Sequence, residues 1–407
     1  MTDESPLKDN DRWLTRGVVG IGGASLLSDI GHEVPTALLP SFLTSTLGAP
    51  AVALGLIEGV ADGFAGAARF AGGALADDPD RRRRTAVGGY AATAVLSSLI
   101  GITSAAWQVG VLRAAAWSAR GLRVPARNAL LADIVPAGSY GKAYGFERMM
   151  DNLGAILGPL LALGLVATVG TRTAILISVI PGLFAAVAIV YAIRAARQHR
   201  SQKRQPIRIQ IRPVMSGQLG RLFVGISAFE VGNVAATLLI LRATEILTPH
   251  HGQDEAISTA LGLYLFYNLI AAVASLGGGR LADRRGALLV LTAGVACFGL
   301  AYGGLAFTDA TIAILAVWFG LAGLAIGFVE TAENAAVAAL APIEIRGSAF
   351  GAMATVQSLG NFAASAVAGL VWTAVSPQAA FLYLVGWMVI ALIALTATAF
   401  RNSNHVD

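Results

Sequence analysis

Twelve apolar stretches dominate the sequence and constrain its fold more than any other feature. A helix needs about 20 mostly apolar residues to cross the hydrocarbon core of a bilayer. Only 13% of the residues are charged, against roughly 25% in soluble domains, so the chain cannot cover itself with polar surface. Because backbone groups in lipid must pair internally, stretches rich in Gly, Ala and Leu favour helices over barrel strands. The sequence predicts an all-α integral membrane protein with twelve transmembrane helices, numbered here as spans 1 to 12, at residues 17–44, 51–76, 85–104, 107–131, 140–167, 172–194, 219–246, 256–280, 287–307, 311–335, 346–373 and 379–400.

An internal duplication relates the two halves of the chain. Residues 73–77 read Gly-Ala-Leu-Ala-Asp and residues 279–283 read Gly-Arg-Leu-Ala-Asp, and 279 − 73 = 206. The same offset pairs residues 126–129, Ala-Arg-Asn-Ala, with residues 332–335, Ala-Glu-Asn-Ala. Self-similarity at a fixed offset predicts two pseudo-symmetric six-helix bundles. The predicted divisions are a tail at 1–16, an amino-terminal bundle at 17–196, a linker at 197–217, a carboxy-terminal bundle at 218–400 and a tail at 401–407.

Basic residues collect on one side of the predicted bundle. Twelve spans place both termini on that side, and its connections include the arginine run 81–84 and the polar linker. Because positive residues mark the cytoplasmic face, we predict a multi-pass protein of the bacterial inner membrane with both termini cytoplasmic. The net charge of +5 therefore indicates membrane orientation and no nucleic-acid partner. The expected partners are the lipid bilayer and a small-molecule substrate, and we expect a monomer.

A loop motif follows span 2 and recurs after span 8. Its residues are Gly73, Asp77, Arg81 and Arg82 in the first copy and Gly279, Asp283 and Arg284 in the second. Two tandem six-helix halves with this motif resemble the major facilitator superfamily (MFS) of secondary transporters, over residues 16–401 and in a prokaryotic multidrug or metabolite-efflux-like branch. The first copy departs from the family pattern, because Asp78 replaces a basic residue and Asp80 replaces a glycine.

The motif has a physical interpretation. A carboxylate at Asp77 can accept hydrogen bonds from free backbone N–H groups at the start of a neighbouring helix. An arginine of the run can pair with an acid such as Asp133 at the end of span 4. These contacts would hold the cytoplasmic ends of the halves together, and the sequence leaves open which arginine makes the pair.

A second motif lies in span 5, where Gly154, Gly158 and Pro159 form a Gly-x-x-x-Gly-Pro sequence. In the family, this sequence resembles a mark of antiporters, although the two glycines seen after the proline are replaced here by Ala162 and Leu163. A pair of packing glycines with a proline kink is the alternative interpretation.

Ionisable residues at membrane depth are costly, so each one is a functional candidate. The interiors of spans 3, 6, 9 and 12 carry none, and in the family these are the outer helices. In span 4, Arg113, Arg120 and Arg127 recur every seven residues and form a stripe. The regular spacing favours a lining of the central cavity.

Two interpretations of these charges remain open. In one, a buried acid binds and releases a proton while the substrate competes for the arginines; in the other, the charges are permanent links between helices. The proton-coupling candidates are Asp29, Glu33, Asp62 and Asp151. The cavity candidates are His32, Glu58, Arg113, Arg120, Arg123, Arg127, Glu147, Arg148, Asn152, Phe229, Glu230, Tyr264, Tyr267, Asn268, Glu330, Gln357 and Asn361.

The duplication predicts that the two halves have different roles in transport. At the 206 offset, Arg120, Arg123, Glu147, Arg148 and Asp151 correspond to Ile326, Val329, Met353, Ala354 and Gln357. The carboxy-terminal half has apolar or neutral residues at these five places. We therefore expect the amino-terminal half to do most of the proton binding and the other half to supply uncharged contacts to the substrate.

These observations together predict a secondary transporter that works by alternating access, by proton-coupled efflux. The alternatives are proton-coupled uptake of a small organic anion, suggested by the arginine stripe, or a lipid or lysolipid transporter or scramblase. Paired nucleophile and base motifs are absent from the sequence, so no enzyme is expected. We predict no metal and no cofactor, with the proton as coupling ion.

Overall fold

The computed structural model describes residues 13–195, 207–208, 210–308 and 311–403. These residues form helices and short connections, without a β-strand among them. The predicted linker and both predicted tails lie largely outside the described residues. The helices are α1 Arg16–Ser41, α2 Ala51–Ala76, α3 Pro79–Leu99, α4 Ala106–Ile134, α5 Tyr140–Val169, α6 Thr171–Ile177, α7 Val179–Ala195, α8 Ile211–Val214, α9 Gly217–Gly232, α10 Ala236–His251, α11 Gln253–Arg285, α12 Ala287–Phe307, α13 Ile312–Leu340, α14 Arg346–Ala374 and α15 Pro377–Ser403.

Twelve membrane-length segments follow from these helices, because α6 with α7 forms the sixth and α9 with α10 forms the seventh. Nine of the twelve are long and apolar enough, within the described residues, to cross a membrane. The remaining three, α1, α2 and α4, contain many of the ionisable residues predicted at membrane depth. The all-α membrane fold with twelve helices in two bundles is confirmed.

The seventh segment is broken, which corrects the prediction of one continuous span at 219–246. Helix α9 ends at Gly232 and α10 begins at Ala236. The Asn361 side chain donates to the Asn233 carbonyl oxygen at 2.9 Å, and the Ser365 hydroxyl accepts from the Ala235 N–H at 3.0 Å. These bonds satisfy backbone groups that the break frees, as apolar surroundings require.

The arginine run lies inside a helix, although the sequence analysis placed it in a connection before a span at residue 85. Helix α3 begins at Pro79, and the Asp78 carboxylate accepts from the backbone N–H groups of Asp80 and Arg81 at 3.1 and 3.0 Å. An aspartate cap followed by proline is a strong helix start. Asp78 therefore starts α3, and this local role fits its departure from the family motif.

The halves meet through glycines at the end of the bundle that carries the termini. A Cβ on Gly73 of α2 would lie 2.8 Å from the Gly351 Cα of α14, and a Cβ on Gly279 of α11 would lie 2.3 Å from the Gly141 carbonyl oxygen of α5. Such distances require glycine, because a side chain would separate the backbones. The loop-motif glycines therefore permit close packing between the halves.

The same four helices diverge toward the opposite end. Gly59 of α2, Gly164 of α5, Gly262 of α11 and Gly369 of α14 have no other packed atom within 4 Å of an added Cβ. The described contacts between α2 and α14 join residues 66–77 to 347–358, and those between α5 and α11 join residues 141–145 to 275–283, so they lie toward the terminus end of these helices. A central cleft, open away from the termini, follows from this arrangement.

Candidate functional site

Two equivalent carboxylates hold the closed end together. Asp77, at the end of α2, accepts from the Ser348 backbone N–H at 2.8 Å and from the Ser348 hydroxyl, at the start of α14. Asp283, in the last turn of α11, accepts from the N–H groups of Gly141 and Lys142 at 2.6 and 3.0 Å, at the start of α5. Burial raises the pKa of Asp77 above its ordinary value, against the effect of the Ser348 donors. Each motif acid thus bonds the start of a helix in the other half, as the motif predicted.

Arg82 makes the ion pair that the sequence left unassigned. It is fully buried, donates to the Asp133 carboxylate and also donates to the Ala76 carbonyl oxygen at 2.6 Å. Arg346 of the other half approaches the same carboxylate at 3.5 Å. Asp133 therefore joins α2, α3 and α4 to the start of α14.

A direct contact marks the pseudo-two-fold axis. The Asn128 side-chain amide donates to the Asn334 side-chain oxygen at 2.7 Å. These residues are 206 positions apart, so each is the other's counterpart in the duplication. The axis relating the halves consequently passes between them, just inside the closed end.

An outer charge cluster lies in the amino-terminal half, on the cleft side of α1 and α4. Arg120 donates to His32 Nε2 at 2.6 Å and lies 3.5 Å from an Asp29 oxygen. Because His32 Nε2 accepts this bond, its Nδ1 carries the ring proton and donates to the Ser28 carbonyl oxygen at 2.9 Å. Glu33 lies 3.3 Å from His32 Nε2. A second proton on the histidine would displace Arg120 and favour Glu33, so this cluster can exchange partners.

Trp117 organises this cluster and was missed from the sequence. Its ring lies 3.4 Å from the Arg113 guanidinium carbon, packs edge-on against His32 at 5.6 Å, and its indole N–H donates to Asp62 at 3.1 Å. Trp117 stands four residues after Arg113 and three before Arg120, so helical spacing placed it on the arginine stripe. This spacing was the sequence feature that could have identified Trp117 as part of the cluster.

Arg113 also pairs with an acid of α2. It lies 3.0 Å from a Glu58 oxygen and donates to the Thr36 hydroxyl at 3.1 Å. Arg123 instead turns toward α3, where its guanidinium lies 3.9 Å from the centre of the Tyr90 ring. The arginines of α4 thus divide between the cleft and the interior of the bundle.

An inner charge cluster lies deeper, between α4 and α5. Arg127 pairs with Glu147 at 2.7 Å, and Arg148 pairs with Glu147 at 2.7 Å and with Asp151 at 3.0 Å. Arg148 also lies 3.8 Å from Glu330 of α13. The inner cluster therefore links to the other half through one partly exposed acid, Glu330.

The outer and inner clusters meet through two acids. Asp29 of α1 and Asp151 of α5 lie on the facing sides of the two helices, because the Asp29 Cβ packs against Gly154, three residues after Asp151. Two neighbouring buried carboxyl groups repel one another when both are charged. Asp29 and Asp151 therefore lie where the outer and inner clusters adjoin.

The glycines of the span 5 motif explain how these acids approach α5. A Cβ on Gly154 would lie 2.7 Å from the Asp29 Cβ, and one on Gly158 would lie 2.4 Å from the Glu33 Cβ. Each glycine therefore makes room for one acid of α1. The packing interpretation of the motif therefore fits the structure, because these glycines let the acids of α1 lie against α5.

The carboxy-terminal candidates are more dispersed. Tyr264 and Tyr267 stack with ring centres 6.0 Å apart, and Asn268 donates to the Tyr264 carbonyl oxygen at 2.9 Å. Phe229 is fully buried against Phe298, with ring centres 5.5 Å apart. The structure therefore places Phe229 in the core of its bundle. In the other half, Asn152 donates to the Arg148 carbonyl oxygen on its own helix at 2.9 Å.

Glu333 of α13 was not selected from the sequence, although the structure buries it completely. One of its oxygens accepts from the Gln357 side chain at 2.9 Å, and the other has no hydrogen-bond partner among the described residues. Glu230 of α9 is also buried and accepts from Asn233 at 3.0 Å. The carboxy-terminal half thus contains buried acids of its own.

Comparisons with known proteins agree with this architecture. The family model described as Major Facilitator Superfamily matches residues 21–242 and 222–406. An uncharacterized MFS-type transporter of Methanocaldococcus jannaschii is 28% identical over 92% of this chain and 93% of its own length. Two solved structures share the fold at 16% identity and a TM-score of 0.70: the human organic anion transporter MFSD10, over 93% of this chain and 99% of its own, and a bacterial homologue of the iron transporter ferroportin in an outward-facing state, over 95% and 99%.

Proposed function

The chain belongs to the major facilitator superfamily, and we propose that this transporter exports a small molecule in exchange for protons. The position of Asp29 and Asp151 on the facing sides of α1 and α5 carries the proposal. Two neighbouring buried carboxyl groups favour holding one proton between them, because the doubly charged state is repulsive. Arg120 beside Asp29 and Arg148 beside Asp151 supply the charges that can replace this proton.

Alternating access couples this proton to the substrate. Asp29 and Asp151 lie on two helices of the same bundle, so rocking of the two bundles would expose the pair to opposite sides of the membrane in turn and change its affinity for the proton. When the proton leaves, the freed carboxylates compete for Arg120 and Arg148, and the partner exchange at His32 follows. A substrate that needs any of these side chains would therefore bind in competition with the proton.

The direction of transport rests on the span 5 glycines and on charge. Gly154 and Gly158 bring Asp29 and Glu33 against α5, and the family resemblance associates their motif with antiport. The basic residues at the terminus end favour a cytoplasmic location for both termini, in the inner membrane. The cleft then opens to the outside, in the orientation that takes up external protons.

Uptake of an organic anion receives less support from the site. The arginines that would bind an anion are engaged already, Arg113 by Glu58 and Arg127 by Glu147. The two solved neighbours carry names with different cargoes, an organic anion and iron. A shared fold therefore does not select the substrate.

Proton release on ligand binding tests the proposal. Purified protein in weakly buffered detergent would receive a panel of small organic cations, anions and neutral compounds while a pH dye records released protons. We expect a ligand that releases about one proton from the wild type and none from Asp29→Asn or Asp151→Asn. The variant Glu245→Gln is the matched control, because Glu245 is exposed and pairs only with Arg242 among the described residues.

Two results of this experiment would contradict the proposal. Ligands that bind the wild type without proton release would exclude antiport for those substrates. Release that survives in both aspartate variants would remove the Asp29–Asp151 pair from the coupling step. Accumulation of the ligand in proteoliposomes driven by a pH gradient would then decide the direction.

A further inference from the structure

A buried acid in the carboxy-terminal half has the surroundings of a proton-binding site. Glu333 is 0% exposed, one oxygen accepts from Gln357, and the other is buried without a hydrogen-bond partner among the described residues. An ionised carboxylate in such surroundings costs several kcal/mol unless a cation compensates it. Within 4 Å, no Lys, Arg or His of the described residues pairs with Glu333 or Glu230.

The duplication explains how this uncompensated acid arises. Glu333 is the counterpart of Arg127, since 333 − 127 = 206. Arg127 has two acidic partners, Glu147 and Asp151, and their counterparts are Met353 and Gln357. The carboxy-terminal half has exchanged the cation for an acid without exchanging the acids for cations. Gln357 keeps the contact, but it cannot neutralise a negative charge.

The neighbouring charges increase the cost of ionisation. Glu230 of α9 and Glu330, one turn earlier on α13, both lie within electrostatic range of Glu333. The Arg69 guanidinium of α2 acts on Glu230 and donates to the Ala354 carbonyl oxygen. Arg148 of α5 is engaged by Glu147, Asp151 and Glu330. The acids on α9 and α13 therefore dominate the surroundings of Glu333.

We propose that Glu333 binds a proton in this conformation and forms, with Glu230 and Gln357, a second proton site in the carboxy-terminal half. Its proton sits on the oxygen that does not accept from Gln357. Gln357 is half-buried and Glu330 is partly exposed, whereas Glu333 is fully buried. The site does not depend on the proposed function, because it concerns the protonation of one carboxyl group.

Infrared spectroscopy of the purified full-length protein tests the site directly. A protonated carboxyl group has a C=O stretch that shifts on exchange into heavy water, whereas a carboxylate lacks it. At neutral pH we expect Glu333→Gln to lose one such band relative to the wild type. Gln357→Leu should keep the band and shift it to higher frequency, because the C=O group loses its amide donor. Glu245→Gln, which changes an exposed acid in the same half, should leave it unchanged.

The proposal fails if Glu333→Gln retains every protonated-carboxyl band of the wild type. It also fails if the band disappears when sodium or potassium ions are added at constant pH, since the site would then hold a metal cation. Glutamine has the size of the protonated acid, so a monodisperse elution profile is expected for the variant. Asp29→Asn, recorded in parallel, tests the proposed coupling pair separately, and its result does not alter the assignment of Glu333.

Discussion

The two halves share one scaffold and use it for different chemistry. At the closed end two sets of contacts are equivalent: Asp77 and Asp283 bond the starts of opposite helices, and Asn128 contacts its own counterpart Asn334. At the depth of the charge clusters the equivalence ends, because Arg127 has two acidic partners and Glu333 has only an amide. The comparison teaches that contacts between the halves constrain both copies, whereas residues within each half can diverge.

The largest expected effect contrasts Arg127 with its counterpart. Arg127→Gln would leave Glu147 buried with one cation fewer, and we expect a loss of about 3–5 kcal/mol in stability. Glu333→Gln should change stability by less than about 1 kcal/mol, because a neutral acid is replaced by a neutral amide. Thermal unfolding of both variants in the same detergent provides the measurement. Equal losses would show that Glu333 is charged and compensated.

The second contrast concerns an ion pair that exists in one half only. Arg82 and Asp133 correspond to Leu288 and Ala339 at the 206 offset. Arg82→Gln should destabilise the protein by about 2–3 kcal/mol, because Asp133 loses its charged donor. Arg84→Gln, an exposed position in the same run, should remain within about 0.5 kcal/mol of the wild type. Similar unfolding temperatures for both variants would contradict a specific role for Arg82.

The third prediction compares the equivalent glycines of the closed end. Gly73→Ala and Gly279→Ala each add a Cβ against the opposite backbone, and we expect each to disfavour the closed end by about 1–3 kcal/mol. Gly277→Ala is the control, because nothing lies within 4 Å of its added Cβ. Distance measurements between spin labels on the two halves would record the opening. If only one of the two glycine variants opens the protein, the two glycine contacts contribute unequally to holding the closed end together.

The smallest expected effect concerns Trp117, whose counterpart is Gly323. Trp117→Phe keeps an aromatic ring beside Arg113 but removes the N–H that donates to Asp62. We expect a cost of about 0.5–1.5 kcal/mol in ligand affinity or stability. Trp117→Phe can be compared with Trp107→Phe, an exposed position on the same helix. An equal effect at both positions would remove Trp117 from the site.

The residue types and their spacing were enough to predict the helices, the duplication and the charged faces. Asp29 and Glu33 of α1 do lie on one side, against Gly154 and Gly158. The helix boundaries between spans were harder to predict, because a capping residue can begin a helix before its apolar stretch starts. Asp78 and Pro79 begin α3 several residues before its apolar run.

The contacts of individual arginines could not be predicted from their spacing in the sequence. The family motif offered several arginines for Asp133, and only packing buries Arg82 beside it. Arg123 follows the same helix as the stripe, yet the space beside Gly89 of α3 directs it toward Tyr90. Side chains three or four residues apart can thus face different neighbours, because the neighbouring helices differ.

The sequence by itself determined that this chain spans a membrane twelve times in two related halves, since apolar length and internal repetition are properties of the chain alone. Only the tertiary structure decided which charges compensate one another. Glu333 illustrates the difference, because it has a charged side chain in the sequence and no cationic partner among the described residues once α9, α13 and α14 pack together. Burial and distance set the cost of a charge, and both arise only when helices meet.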